Sequence, residues 1–114
     1  METIYGHFDD EQIERYKVQL HKELFWLLLY KDPKKKEECK NAYFDKYFDT
    51  VMKKMDGLNE LLFYPTEIIG IMSLLRAAYK ETKKIVFDFQ EYRKLILKAH
   101  SLVDKINKDG DKNV

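Results

Sequence analysis

The stretch IIGIMSLLRAAY, residues 68–79, is apolar on almost every side of a helix. A surface helix needs only one apolar stripe, so a helix that is apolar nearly all round belongs in the interior. Its apolar members are Ile68, Ile69, Ile71, Met72, Leu74, Leu75, Ala77, Ala78 and Tyr79. The sequence therefore predicts a third helix that starts near Thr66 and is the most buried of the chain. Gly70 and the Ala77-Ala78 pair are expected to let neighbouring helices approach closely.

Two similar stretches predict the starts of the first and last helices. FDDEQI (residues 8–13) and FDFQEY (residues 87–92) each place an Asp three residues before Gln12 or Glu91. This spacing is typical of a capping box, in which each side chain accepts a hydrogen bond from the backbone N–H of the other residue. Helix 1 is expected over about residues 10–31, and helix 4 directly after its own capping Asp.

The middle of the chain supplies the second helix. Asp32-Pro33 predicts its start and Gly57 its end, and LNELLFY (residues 58–64) predicts a short helical turn before Pro65. Four helices with short connections favour an up-down arrangement. The predicted fold class is all-α, an antiparallel four-helix bundle with a short extra helical turn between helices 2 and 3. Residues 1–114 are expected to form a single helical domain with frayed ends at 1–8 and 108–114.

Composition excludes several classes of protein. The 21 basic and 20 acidic residues leave a net charge of +1, which argues against a dedicated nucleic-acid binder. The single Cys39 rules out an intramolecular disulfide and a site built from several cysteines. The acidic N-terminus has no apolar core of a signal peptide, and the apolar run from Leu24 to Tyr30 is too short to span a membrane. We expect a cytoplasmic protein, and the many lysines suggest a bacterial or phage source.

The two helical histidines occupy matching positions. His21 and His100 each lie thirteen residues after the Phe that precedes their helix, so both fall near mid-height in an antiparallel bundle. Imidazole titrates near neutral pH and ligates metals, but neither residue belongs to a Glu-x-x-His or His-x-x-x-His pattern. We expect no metal site and no cofactor. His100 and Asp104 are expected to form an ordinary i, i+4 pair on the helix surface.

Arg93 and His100 are separated by six residues, and Arg15 and His21 by five. This spacing resembles the Arg-x4–6-His signature of HEPN-type ribonucleases, which are also small helical bundles. The resemblance implies that Arg93 and His100 act together on an RNA phosphodiester from two protomers of a dimer. It covers eight residues and the bundle class, and it departs from the family pattern at Lys94, where an Asn, Asp or His is usual. Within one helix, Arg93 and His100 lie about 10 Å apart along the axis.

A group of lysines follows helix 1 and forms a basic patch. Its members are Lys31, Lys34, Lys35, Lys36 and Lys40. Such a patch can contact phosphates or acidic headgroups. Glu37 and Glu38 follow immediately, however, so a solvated surface is the simpler interpretation and a binding patch the second.

Surplus aromatic residues are the strongest indication of a binding surface. LFWLLLY covers every face of the C-terminal half of helix 1, although a bundle helix needs one stripe. The candidates for partner binding are Phe25, Trp26, Tyr30, Phe63 and Tyr64, because aromatic residues are enriched at the centres of interfaces. The alternative is that helix 1 lies between two neighbours and that residues 58–64 cover its second face.

Together these features favour a small non-catalytic helical protein that binds and modulates a macromolecule, in particular a protein. Inhibitors, regulators and immunity proteins of bacterial or phage systems have this profile, and the immunity bundles of bacteriocin systems are similar in length and helix number. A second copy of the chain is a further candidate partner. The alternatives are a HEPN-like ribonuclease that uses Arg93 and His100, or a weakly basic nucleic-acid-binding subunit that uses the lysine patch.

Overall fold

The computed structural model describes residues 2–31 and 43–106. It confirms the all-α fold class, a bundle of four helices. A two-stranded hairpin, β1 (Glu2–Thr3) and β2 (Gly6–His7), precedes the helices. The helices are α1 (Asp10–Lys31), α2 (Phe44–Leu61), α3 (Thr66–Thr82) and α4 (Phe89–Lys105).

Neighbouring helices run antiparallel around one core. The hydroxyl of Tyr92 on α4 donates to the carbonyl of Leu27 on α1 over 2.6 Å, whereas the far end of α4, at Ile106, lies beside Lys17. α3 packs on α4 and α2, and α1 packs on the same two helices. The largest fully buried side chains of this core are Ile13, Leu24, Leu27, Phe44, Val51, Met55, Ile68, Ile71, Leu75, Tyr92, Ile96 and Ile106.

Both predicted helix starts are capped by the predicted Asp, but the reciprocal capping box forms only at Asp9, because the N–H of Asp88 donates to Glu81 and not to Glu91. The backbone N–H of Asp9 donates to the Gln12 side chain over 2.9 Å, and the N–H of Gln12 donates back to Asp9 over 2.8 Å. At α4, the Asp88 side chain accepts from the N–H groups of Gln90 and Glu91. These interactions are local in sequence, which is why the pattern alone predicts them.

α3 starts at Thr66, as predicted. It is not buried on all sides. Ile68 and Leu75 are fully buried, whereas Ile69 remains 48% exposed. Gly70 provides the close approach that was predicted, because a Cβ atom there would lie 3.0 Å from Cδ1 of Leu102 on α4.

The predicted end of helix 2 at Gly57 is wrong. α2 continues through Gly57 to Leu61, so the first four residues of the predicted separate turn form the last turn of α2. The apolar stripe of Met55, Leu58 and Leu62 continues into the core past this point. Its burial outweighs the cost of a helical glycine, which is about 1 kcal/mol relative to alanine.

Replacing Gly57 with Ala should raise the free energy of unfolding by about 0.5–1 kcal/mol, since a helical glycine loses more backbone entropy than alanine. A Cβ atom at this position meets nothing within 4 Å. Urea unfolding measures the change. Gly70→Ala is the matched control and should not gain stability, because its Cβ crowds Leu102. Equal gains at both positions would contradict the packing described.

Hydrogen bonds hold the N-terminal hairpin together and join it to the helices. Residues 2–7 form the hairpin, in which Glu2 pairs with His7 and Thr3 with Gly6. Oγ1 of Thr3 donates to the carbonyl of Gly6 over 2.7 Å, and the N–H of Ile4 donates to the carbonyl of Leu61 over 2.9 Å. This last bond joins the hairpin to the end of α2.

Two predictions lie outside the described residues: the helix start at Asp32-Pro33 and the frayed tail at 108–114. Within the described part of the chain, none of the helices combines the length and the apolar character needed to cross a bilayer.

Candidate functional site

The predicted aromatic residues fall into two separate surfaces. Phe63 and Tyr64 lie just after α2, next to the hairpin turn of Ile4 and Tyr5, because Ile4 is bonded to Leu61. Phe63 is 58% exposed and Tyr64 59% exposed, and Ile4 and Tyr5 are exposed as well. We call these four residues, Ile4, Tyr5, Phe63 and Tyr64, the aromatic end. The sequence did not indicate the part played by the hairpin.

The backbone of the aromatic end has an unusual conformation. Phe63 has φ 62° and Tyr64 has φ 58°, both left-handed. Their N–H groups close the end of α2 by donating to the carbonyls of Glu60 and Asn59 over 3.2 and 2.7 Å. Each residue with a side chain pays roughly 1–2 kcal/mol in this region, and glycine pays almost none. Fold stability therefore favours glycine at both positions.

Phe25 and Trp26 belong to the outward face of α1. They are 55% and 50% exposed, and Val18, two turns earlier, is also exposed. Tyr30 does not join them. Its ring packs 5.2 Å from that of Tyr47 on α2 and is half-buried. The outward face of α1 therefore consists of Val18, Phe25 and Trp26.

The outward face of α1 and the aromatic end are apart on the molecule. The end of α2 lies beside Tyr16, since Leu61 and Tyr16 line one pocket. Phe25 is nine residues further along α1, which is about 14 Å of helix. A single residue of a partner cannot contact both surfaces, but a protein–protein interface of standard size can include both.

Of the basic patch, only Lys31 is among the described residues. Its ammonium lies 4.3 Å from the centre of the Phe44 ring, and burial lowers its pKa. Lys31 thus packs against the end of the core. Lys34, Lys35, Lys36 and Lys40 lie outside the described residues.

His21 and His100 meet across the contact between α1 and α4. Their ring centroids are 3.8 Å apart. Nε2 of His21 lies 2.9 Å from Oδ1 of Asp104, so Asp104 bonds to His21 across the helices and not, as predicted, to His100. Nδ1 of His21 is buried and has no hydrogen-bond partner among the described residues.

The electrostatics of this cluster disfavour charge on His100. Burial lowers the pKa of His100, the neighbouring His21 lowers it further, and Asp104 offsets part of the effect. The hydrogen bond from His21 in turn lowers the pKa of the Asp104 carboxyl. Lys17 also favours the carboxylate of Asp104.

Stability should fall as the pH falls from about 6.5 through the lower pKa of folded His100. The folded state holds this proton less tightly than the unfolded state, so unfolding takes up protons in that window. Chemical unfolding at pH 7.5 and pH 5 measures the change. His100→Gln should flatten the dependence in this window, while the effect of Asp104 persists below its ordinary value of 3.8. An unchanged slope in His100→Gln would refute the assignment to His100.

Arg93 is exposed on α4, two turns from His100. One copy of the chain therefore does not bring Arg93 to the histidine pair, and joint action requires a second copy. Within residues 2–31 and 43–106, no group of three or more His, Cys, Asp or Glu side chains is arranged to hold a metal ion.

Three buried charged residues were missed: Lys17, Glu23 and Glu81. Lys17 continues the buried stripe of Ile13, Leu20 and Leu24 along α1, and this position in an apolar stripe is the signal that could have identified it. Glu23 is also buried and faces Lys54 on α2 at 2.7 Å. Glu23 has no such signal, because its partner comes from another helix.

Comparison with protein-family models, curated proteins and solved structures finds no match to this chain. The assignment of function therefore depends on the surfaces described above.

Proposed function

We propose that this chain is a small non-catalytic protein that binds and modulates a protein partner through the aromatic end. The observation that carries the proposal is the pair Phe63 and Tyr64. Both side chains are more than half exposed, and both stand in a left-handed backbone conformation. They add little to the core and oppose the local backbone preference. Residues that break a local rule without a gain for folding are expected at functional sites.

The chemistry of the aromatic end fits a protein partner. Tyr and Phe supply large contact areas with few rotatable bonds, and Tyr is among the residues that dominate binding energy. Ile4 and Tyr5, joined to the end of α2 by the bond from Ile4 to Leu61, add further exposed apolar surface. The net charge of +1 gives little attraction toward nucleic acid.

The outward face of α1 is proposed as the second, weaker contact. Phe25 and Trp26 are adjacent and half exposed, and the sole tryptophan of the chain is among them. Inhibitors, regulators and immunity proteins of bacterial or phage systems act by binding alone. We propose that this chain belongs to that class. The cytoplasmic location stays a prediction.

Photo-crosslinking tests the proposal. Tyr64 is replaced by p-benzoylphenylalanine, and the protein is irradiated in a lysate of the organism that encodes it. We expect one discrete adduct with a different protein, because the probe sits at the centre of the proposed contact. Val86 is the control position, because it is also apolar and exposed, in the α3–α4 connection.

Equal labelling from Tyr64 and Val86 would sink the proposal, as would no adduct from Tyr64. An adduct of twice the mass of the chain would show that the aromatic end binds a second copy, and would overturn the proposal of a different partner.

A HEPN-like ribonuclease is the second candidate, favoured by the contact between His21 and His100. Two imidazoles beside a carboxylate could share acid and base roles in phosphodiester cleavage, with Arg93 of a second copy binding the phosphate. Cleavage of a single-stranded RNA by wild type, with His100→Ala inactive and Phe63→Gly unaffected, would establish this function. If the wild-type protein leaves the RNA intact at concentrations that favour a dimer, the ribonuclease function is excluded.

A further inference from the structure

A surface pocket of about 390 Å³ lies along the first half of α1. Its wall is formed by Phe8, Gln12, Arg15, Tyr16 and Gln19. The four helical members stand at positions i, i+3, i+4 and i+7, so they share one face of α1. Sites for small molecules begin at about 300 Å³, so this pocket can hold one aromatic ring with a short chain.

Arg15 brings a positive charge to this pocket that no contact of the fold uses. Its side chain is exposed, and within residues 2–31 and 43–106 its guanidinium forms no ion pair or hydrogen bond. Arginine is charged at every physiological pH, and its N–H donors form a fork that matches the two oxygens of a carboxylate. Glu11, one turn earlier, is exposed but is not part of the pocket wall. A ligand in the pocket can therefore reach the guanidinium directly.

A second donor in the wall is held by the cap of α1. Oε1 of Gln12 accepts from the backbone N–H of Asp9 over 2.9 Å, which fixes the side-chain amide and leaves its Nε2 as a donor. Gln19 is less available, because its Nε2 donates to Glu23 over 3.3 Å. The pocket thus offers one full positive charge and one fixed amide donor. This set suits an anion of one charge, whereas a phosphate monoester carries close to two at neutral pH.

Two aromatic rings form the apolar part of the wall. The rings of Phe8 and Tyr16 are parallel within 2°, with centroids 5.9 Å apart. Tyr16 is 41% exposed, so part of its ring is open to a ligand. Aromatic rings pair favourably in offset-stacked or edge-to-face arrangements. An aromatic ring is therefore the apolar group that fits this wall.

We propose that this pocket binds a small aromatic carboxylate. The carboxylate accepts from the guanidinium of Arg15 and from Nε2 of Gln12, and the ring packs on Tyr16. The site shares no residue with the aromatic end, so its test does not depend on the proposed protein partner.

A titration with phenylacetate, followed by ¹H–¹⁵N NMR, tests the site. We expect saturable shifts of the backbone amides of Arg15 and Tyr16 and of the side-chain amide of Gln12. The expected Kd is about 1 mM, a typical value for a ligand of this size. Phenylacetamide has nearly the same shape without the charge. It should bind at least about tenfold more weakly, because it forms no charge-assisted pair with Arg15.

Two substitutions identify the groups responsible. Arg15→Gln removes the charge from an exposed position and should weaken phenylacetate binding about tenfold. Tyr16→Leu keeps an apolar side chain without the ring and should weaken binding about threefold. Arg76→Gln is the matched control, because Arg76 is exposed on α3, outside the pocket. It should leave the Kd within about twofold of wild type.

Four results would each overturn the proposal. They are equal affinity for phenylacetate and phenylacetamide, unchanged binding in Arg15→Gln or Tyr16→Leu, an equal loss of binding in Arg15→Gln and Arg76→Gln, and the absence of saturable shifts in wild type.

Discussion

Replacing Lys17 with Met is expected to lower the free energy of unfolding by about 2–3 kcal/mol, the cost of losing charged hydrogen bonds to buried acceptors. Lys17 is almost fully buried. Its ammonium donates to the backbone carbonyls of Asp104 and Ile106 over 3.1 and 3.0 Å. These carbonyls end α4 and have no partner within the helix. Lys17 thus caps one helix from the side of another.

Two effects of Lys17→Met oppose each other. Methionine is uncharged, so the variant avoids the cost of removing an ammonium from water, which by itself favours folding. It also takes the Lys17 donor away from the carbonyl of Ile106 in a buried place and removes a cation from the negative end of the α4 dipole. The second effect should dominate, because Lys17 also keeps contact with the Glu14 carboxylate at 3.3 Å and so is not an isolated charge.

Urea unfolding of Lys17→Met and of Lys22→Met separates this capping role from a general effect of losing a lysine. Lys22 is exposed on the same helix, so its replacement should change stability by less than about 0.5 kcal/mol. Hydrogen exchange should in addition show faster exchange in the last turn of α4 for Lys17→Met alone. Similar stabilities for the two variants would show that the carbonyls of α4 do not depend on Lys17.

The parts of the fold that the sequence predicts well are those set by neighbouring residues. The caps at Asp9 and Asp88 involve partners two or three residues away, so the local pattern is sufficient. The four-helix architecture follows from apolar spacing and short connections. The matching heights of His21 and His100 were also predicted, because both can be counted from the start of their helices.

The parts that it predicts poorly are decided by distant contacts. Gly57 reads as a helix end, and only the burial of Leu58 and Leu62 carries α2 past it. The contact between the histidines requires that α1 and α4 be neighbours. The aromatic end depends on a hydrogen bond between Ile4 and Leu61 that no local pattern indicates.

Replacing both Phe63 and Tyr64 with Gly is expected to weaken partner binding at least about 100-fold, which corresponds to about 2.7 kcal/mol. The same change should leave the free energy of unfolding equal or raise it by up to about 1 kcal/mol, because glycine adopts the left-handed conformation freely. Both side chains are more exposed than buried, so little packing is lost. If the variant loses binding but is at least as stable as wild type, Phe63 and Tyr64 serve binding and not folding.

The control for this variant is the replacement of Ile85 and Val86 with Gly. These residues are also apolar, adjacent and exposed, in the connection between α3 and α4. They lie outside both proposed contacts, so binding should stay within about threefold of wild type, a difference of less than 0.7 kcal/mol.

Two measurements on the Phe63→Gly/Tyr64→Gly variant test the central claim most directly. One is isothermal titration with the partner that crosslinking identifies, and the other is urea unfolding of the variant. The expected result is binding weakened at least about 100-fold in a protein as stable as wild type. Binding within about threefold of wild type would contradict the assignment of the aromatic end as the interface. A loss of more than about 1 kcal/mol in the free energy of unfolding would contradict the claim that Phe63 and Tyr64 serve binding and not the fold.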